Sequence, residues 1–300
     1  MTELALEHDA LRPLMFSIAY RMLGSVSEAE DVVQDAFLRM HRSVSEGTAL
    51  DNPEAYATTV TTRLAIDSLR SARARRETYV GTWLPEPILD DDPAHRIEQD
   101  ETVTAAFLVV LEKLPPVERA VFLLREVFRY EYAEIARIVE KSEANCRQLL
   151  VRAKRHLDAE RPALASVERQ NELAEAFFDA VGRGDLEALE RLLAEDATFC
   201  GDGGGKAPAV RVPVEGRVAV ARFIIGLARQ RDRLGVRLDP TRANGQPGLL
   251  LRTHDDKILG VLTVDIGDDA VIGVRNQINP DKLGHLGEVG DLNGLISQPR

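Results

Sequence analysis

The chain has 300 residues, 44% of them hydrophobic and 29% charged, with a formal net charge of −11. That length suits two or three domains with real cores, and the acidity argues against a stand-alone polyanion binder, because long-range repulsion slows approach to DNA. Cys146 and Cys200 lie far apart with no CxxC or Cys/His spacing, so neither a disulfide framework nor a zinc site is expected and a reducing compartment is.

The start, MTELALEHDALRP, lacks a basic segment followed by an apolar run. No stretch approaches the roughly twenty apolar residues of a membrane span. A soluble, cytoplasmic protein is the expectation. A first helical block covers 8–77. In SEAEDVVQDAFLRMH, Ala29, Val32, Val33, Ala36, Phe37 and Met40 recur at helical spacing, and Ser27 with Glu30 reads as a capping box at the helix start. A second helix begins near Pro53, with Tyr56, Val60, Leu64 and Ile66 expected inward. The segment 78–97 reads as a linker: it contains WLPEP and begins an acid run (Glu86, Asp90, Asp91, Asp92, then Glu98, Asp100, Glu101) opposed by Arg96.

A second helical block covers 98–161. Pro115-Pro116 marks a turn, Tyr132, Ile135, Ala136 and Val139 form one stripe, and Cys146, Leu149, Leu150, Ala153 and Leu157 another. Ser142 is a candidate cap between them. Two short amphipathic helices across a tight turn make a helix-turn-helix pattern. From 168 to 283 the character changes: two helices, a loop-like stretch ATFCGDGGGKAP, a helix near GRVAVARFIIGLARQ, then strand-like GLLLRTH, KILGVLTVDI and AVIGVRNQI, separated by DD and GDD turns. This is an α+β domain with a meander. The remainder, 284–300, is Gly-rich and polar and is expected to be loose. No internal repeat is found.

Three surfaces carry chemistry. On KSEANCRQLLVRAKRHL, Asn145 and Gln148 fall in the early turns, where a recognition helix meets base edges. Arg147, Arg152, Lys154 and Arg155 suit bases or phosphates. A second cationic helix closes the first block with Arg63, Arg70, Arg73, Arg75 and Arg76. Two such helices joined by an acidic linker suit two spaced DNA elements; the bland alternative for each is a solvated basic face. On the first acidic helix, Asp31, Gln34, Asp35 and Leu38 make a face opposite the apolar stripe. Carboxylates around an outward leucine suit a basic protein partner with an apolar centre, and the bland alternative is a solvated acidic face.

These segments, SVSEAEDVVQDAFLRM, AYATTVTTRLAIDSLRSARARRE, LPPVERAVFLLREVF and YAEIARIVEKSEANCRQLLVRAKRHL, resemble in order those of bacterial extracytoplasmic-function (ECF) RNA polymerase sigma factors. The resemblance implies that Asp31, Gln34, Asp35 and Leu38 bind the clamp helices of core polymerase. It implies that the stretch from Arg63 to Arg76 reads and melts the promoter −10 element, where unpaired DNA needs cationic and stacking surfaces. It implies that Ser142 to Arg155 read the −35 element. The sequence departs from the family at Glu140 and Lys141, where Gly and an apolar residue are usual, and in having Tyr56 as its only aromatic in the −10 segment. WLPEP, DGGGK (202–206) and NPDKL (279–283) resemble the subgroup with a fused SnoaL-like domain, and RGDLEALERLLAEDATF resembles the helical start of that NTF2-like cone.

Cyclases and isomerases occur among related folds, but a proton-transfer site needs a base and an oxyanion donor. The last tyrosine is Tyr132, and His254 lies in a turn-like RTHDDK. Asp196, Asp202 and Asp265 read better as strand-end or turn carboxylates than as a cavity lining. GDGGGKAP fails the phosphate-loop pattern, since Ala207 follows Lys206 and Cys200 replaces the first glycine. The expectation is a non-enzymatic promoter-specificity subunit with no cofactor or metal. The resemblance to that subgroup implies that its third domain regulates in cis, and the expected contacts are of Trp83, Leu84, Pro85, Asp202, Lys206, Asn279, Pro280, Asp281 and Lys282, made to the helical blocks or to the linker. The alternatives are a one-component helix-turn-helix regulator with a ligand-sensing domain, and an isomerase or cyclase with an accessory DNA-binding part.

Overall fold

The computed structural model describes residues 3–47, 51–76, 79–93, 95, 103–158 and 165–297. The chain divides into two compact units: residues 1–78, 92–103 and 107–161, and residues 79–91, 104–106 and 162–300. Among the described residues, no helix is long and apolar enough to cross a membrane.

The first unit is helical. It contains α1 (Glu3–Leu23), α2 (Val26–Ser45), α3 (Pro53–Arg76), most of α4 (Ala105–Leu111), α5 (Pro116–Phe122), α6 (Tyr132–Val139) and α7 (Glu143–Asp158). A single π-helical turn, Leu123–Val127, extends α5. Met15, Phe16, Ala19 and Leu23 of α1 are buried with Val32, Val33 and Ala36 of α2. The start of α2 differs from the sequence reading. The cap is Ser25, whose Oγ accepts from Glu28 N at 3.1 Å, not Ser27. Gly24, with a φ of 65°, reverses the chain directly after α1, which places Ser25 in extended backbone and buries Val26.

Helix α3 also faces differently. Ala57, Thr58, Thr61, Thr62, Ala65, Ile66 and Leu69 are buried, whereas Tyr56, Val60 and Leu64 are half-buried. The helix packs against α1, α2, α5 and α6 at once. Its small residues therefore take the crowded face and its larger ones the margin. The two helical blocks pack together within this unit through polar contacts that no hydropathy pattern contains. Arg119, 2% exposed, donates to Met22 O at 2.6 Å and to Glu112 at 3.3 Å. Burial pulls its guanidinium down to about 9, which leaves it charged at neutral pH. Thr58 and Tyr130 share a 2.8 Å hydroxyl contact.

The second unit contains α8 (Val167–Arg183), α9 (Leu186–Leu192), β1 (Leu193–Asp202), β2 (Val214–Glu215), α10 (Arg217–Leu234), β3 (Arg237–Ala243), β4 (Gln246–Arg252), β5 (Ile258–Ile266), β6 (Val271–Gln277) and α11 (Leu292–Ser297). The sheet order is β2-β1-β6-β5-β4-β3; β1 and β6 are parallel and the other pairs antiparallel. Phe177, Leu189, Phe199, Ile224, Val264 and Val274 form its main core.

The expected meander is present as β4–β6, with β3 added ahead of it. Asn244 (φ 55°) and Gly245 (φ 72°) form the two-residue β3–β4 hairpin, the Asn-Gly chemistry such a turn requires. The sequence hid β3 because Pro240 and its charges argue against a central strand; it is an edge strand, where proline is tolerated. ATFCGDGGGKAP is not all loop, since Ala197 to Asp202 complete β1 between β2 and β6. The segment from 284 to 297 is not loose either, and 298–300 lie outside the described residues. Ile258 N donates to Glu288 O at 2.7 Å, Gly290 N to Ile258 O at 2.8 Å, and α11 follows.

The segment 79–91, read as an acidic linker, is an integral strip of this unit. Leu84 and Ile88 are buried, Asn244 N donates to Ile88 O at 2.8 Å, and Asp90 N to Arg242 O at 3.0 Å. Its Asp90 is partnered: it accepts from Gly245 N at 2.9 Å and faces Arg242 at 3.4 Å.

Glu140 ends α6 in the left-handed region, with a φ of 55°. A side chain there costs about 1 kcal/mol, more than the few tenths an exposed ion pair such as Arg63–Glu140 typically returns. Glu140→Gly is therefore expected to raise the urea-unfolding free energy of the helical unit by about 0.5–1 kcal/mol.

Candidate polymerase and DNA surfaces and the linker anchor

On α2, Asp31, Gln34 and Asp35 are exposed, and Leu38 is 49% exposed. Leu38 and Gln34 form one lip of a groove of about 430 Å³ between α1 and α2, floored by Leu11, Val33, Phe37 and Met40. An apolar trough thus runs along α2 with Glu30 as its one lining carboxylate, and Val33 and Met40 belong both to its floor and to the core. His8 stacks on Phe37 at 3.9 Å, and Arg12 holds Glu30 at 2.5 Å, stiffening the trough.

The cationic end of α3 is only partly available. Arg63 donates through Nε to Ile138 O (2.9 Å) and through Nη2 to Arg137 O (2.8 Å), and its Nη1 lies 3.0 Å from Glu140. It caps the C-terminal carbonyls of α6, a favourable place for a cation. Arg70 is exposed and pairs with Asp67 at 3.1 Å. Arg73, Arg75 and Arg76 belong to the last turns of α3, and their side chains lie outside the described residues.

Helix α7 begins where Ser142 Oγ accepts from Asn145 N at 3.2 Å. Cys146, Leu149, Leu150, Ala153 and Leu157 are buried, so Arg147, Gln148, Arg152, Lys154 and Arg155 face outward; Asn145 is half-buried. Three of these cations have acidic neighbours. Arg147 lies 2.9 Å from Glu143 and over the Tyr132 ring at 4.6 Å, Arg152 lies 3.3 Å from Glu118, and Lys154 lies 2.9 Å from Glu126. Burial pushes the Cys146 thiol up, so it is a packing residue rather than a reactive one.

The third constellation lies wholly within the second unit. Asp202, at the end of β1, is 0% exposed. Its Oδ1 accepts from Tyr79 OH at 2.5 Å and Gly204 N at 3.0 Å; its Oδ2 accepts from Leu84 N at 2.8 Å, Lys282 Nζ at 2.7 Å and Gln277 Nε2 at 3.2 Å. Lys282 Nζ also donates to Leu84 O at 2.6 Å and lies 4.5 Å from the Trp83 ring and 4.9 Å from that of Tyr79. A buried cation is thereby given a carboxylate, a carbonyl and two aromatic faces. Asn279 caps the short 3₁₀ turn Pro280–Lys282 through Asp281 N at 3.1 Å and donates to Tyr79 OH at 2.8 Å. Gln277 also reaches Leu84 O and Pro85 O, both at 3.2 Å, and Lys206 pairs with Asp281 at 2.6 Å on the surface.

All nine residues expected to make regulatory contacts thus meet in one place. Gly204 shows why the loop is glycine-rich: its φ is 57°, and a Cβ there would overlap the Asn279 amide. Sequence reasoning missed Tyr79 and Gln277. Gln277 was legible only as the outward neighbour of a strand end, and Tyr79 only as a lone phenol beside WLPEP. None of the three carboxylates considered for a cavity lines the one between α8, α10 and the sheet. Asp196 is exposed, Asp202 holds the linker, and Asp265 is buried against Arg275 (2.7 Å) and Gln246.

A helical unit ending on a helix-turn-helix, followed by a curved mixed sheet with helices, defines a transcription factor with a fused NTF2-like domain. Comparison with known families agrees: residues 8–75 match Sigma-70 region 2, residues 104–157 match Sigma-70 region 4, and residues 174–256 match the SnoaL-like domain. The chain is 43% identical over 231 residues to the ECF RNA polymerase sigma factor SigJ of Mycobacterium tuberculosis, covering 75% of this chain and 73% of that one. It is 37% identical over 190 residues to the probable ECF RNA polymerase sigma factor SigI of the same species, covering 61% and 64%. The crystal structure of M. tuberculosis SigJ superimposes with a TM-score of 0.76 over 93% of this chain and 98% of that one, at 33% identity over this longer alignment. The chain belongs to the ECF RNA polymerase sigma factors.

Tyr79 supplies a pH signature. Burial, then the Asp202 hydrogen bond, raises its phenol above the ordinary value of about 10. Its contribution is complete below pH about 10 and falls at higher pH, where the unfolded chain releases the proton and the folded one retains it. Tyr79→Phe is expected to cost about 1 kcal/mol at pH 8 by urea unfolding, read through the single tryptophan, Trp83. The gap between parent and variant should narrow above pH about 10.

Proposed function

We propose that this sigma factor docks on the clamp helices of core polymerase through the Asp31, Gln34, Asp35 and Leu38 face. The α3 cations then engage the −10 element, and the outward residues of α7 engage the −35 element, in the cytoplasm. The observation that carries this reading is the half-exposed Leu38 on the lip of an apolar trough, with Asp31 and Asp35 exposed on the same helix. A one-component repressor has no use for such a face, whereas it suits a basic partner with an apolar centre. Arg63 engages DNA only after leaving the α6 carbonyls, so promoter binding and separation of α3 from α6 go together.

The SnoaL-like domain acts in cis by gripping the segment between the two sigma regions. The buried network from Asp202 and Lys282 to Leu84 supports this reading. A binding rather than catalytic role is favoured by the lining of its cavity. Among the described residues, no carboxylate, histidine or tyrosine faces it, and proton transfer needs such a group.

Asp35→Arg with Leu38→Asp is expected to weaken core-polymerase association by about 100-fold in a pull-down titration and to abolish run-off transcription. Parent-like association would remove the docking assignment. Trp83→Ala and Lys282→Met, with the far-UV circular dichroism of the parent, should change run-off transcription severalfold while core binding holds. Unchanged output would remove the cis-regulatory role.

A further inference from the structure

The buried residues of α7, Cys146, Leu149, Leu150, Ala153 and Leu157, fix which way that helix faces. At 3.6 residues per turn, Ala144, Gln148, Val151 and Arg155 fall within about 40° of the direction opposite them. All four are exposed, and they form the outermost ridge of the helix. Arg147 and Lys154 lie on one flank of this ridge and Arg152 on the other. Each of these three cations pairs with a carboxylate, respectively Glu143, Glu126 and Glu118. The ridge itself carries no charge until Arg155. Gln148 is exposed and has no partner among the described residues, and Val151 is 51% exposed. The two share a shallow hollow with Arg147 and Arg152. A lone exposed valine is ordinary on a protein surface. This one stands in the middle of a ridge bordered by cations, where a groove walled by phosphates brings it to the floor.

We propose that Val151 is a specificity-determining residue of α7: its methyl groups pack against the C5-methyl group of a thymine in the −35 element, beside the base pair read by Gln148. The inference deepens the promoter reading of α7 and rests on it. In the major groove the thymine methyl is the apolar feature among donors and acceptors, so an apolar side chain at the floor selects for it. The flanking cations meet phosphates, which position the helix without specifying sequence. Gln148 and Val151 are separated by about 4.5 Å along the helix axis. That is close to the ~3.4 Å step between base pairs, so the two side chains address neighbouring pairs.

The test uses holoenzyme assembled from the full-length protein and core polymerase. Binders are selected from promoter duplexes randomised over the −35 element. Each thymine of the selected element is then replaced in turn by deoxyuridine, which lacks only the methyl group. One such replacement is expected to weaken parent binding about fourfold, the worth of one buried methyl group. Val151→Ala exchanges an exposed side chain for the best helix former, so α7 is retained. This variant should bind the thymine duplex about fourfold more weakly than the parent does and lose less than about twofold on replacement. Lys154→Gln should weaken binding of the thymine and deoxyuridine duplexes alike. A selected element with no methyl-sensitive thymine, or the same sensitivity in Val151→Ala, would overturn the proposal and leave the polymerase and promoter reading standing. Failure to enrich any −35 element would remove the DNA-reading role of α7, and this proposal with it.

Discussion

The second unit is organised around one buried carboxylate. Asp202 gathers five donors from four stretches of chain: a phenol and a backbone amide from 79–84, the glycine loop, the end of β6 and the 3₁₀ turn after it. A charge taken from water costs several kcal/mol unless its lone pairs are filled and a counter-ion is at hand. Both conditions are met here, and the linker supplies two of the five donors. The strip from Tyr79 to Leu84 is therefore part of what allows β1 to end in an aspartate. A domain of this fold without the strip would leave Asp202 and Lys282 short of two and one partners respectively, and each has little access to solvent.

The helical unit repeats the theme with cations. Arg119 caps the C-terminal end of α1 and Arg63 that of α6, so two of the contacts between the two sigma regions use guanidinium groups on helix carbonyls, beside the Thr58–Tyr130 hydroxyl pair. Such contacts are specific in direction but pay a desolvation cost, most clearly for Arg119, whose Nε has no partner. Apolar packing would have joined the regions more permanently. Polar capping joins them in a manner that water or phosphate can replace, which suits regions that must also serve a nucleic acid.

Much of this was legible in the sequence because the relevant signals are periodic or local. The α2 and α7 stripes, the outward α2 face, the helix-turn-helix and the β4–β6 meander follow from spacing alone, and WLPEP, DGGGK and NPDKL, singled out by resemblance, lie together in the second unit, at the linker rather than the helical-block side of the two contacts expected. What escaped was set by tertiary context. Edge strand β3 tolerates Pro240 because its outer side needs no donor. The acid run around Asp90 read as a linker because the partners of Asp90, Arg242 and Gly245, lie some 150 residues away. Arg63 looked free for DNA because nothing local shows that it faces α6. The family's usual Gly was missed at Glu140, yet the backbone there still adopts the glycine conformation, so the turn geometry is imposed by its neighbours.

The strip 79–91 is also a length of tether held in reserve. Fully extended it would span about 43 Å at about 3.3 Å per residue, reach that is withheld while the strip lies along the sheet. Its two ends are fastened unequally. Upstream, Leu84 is locked among groups almost without water; downstream, Asp90 rests on a partly wetted pair with Arg242. The strip is therefore held more firmly at Leu84, among buried partners, than at Asp90.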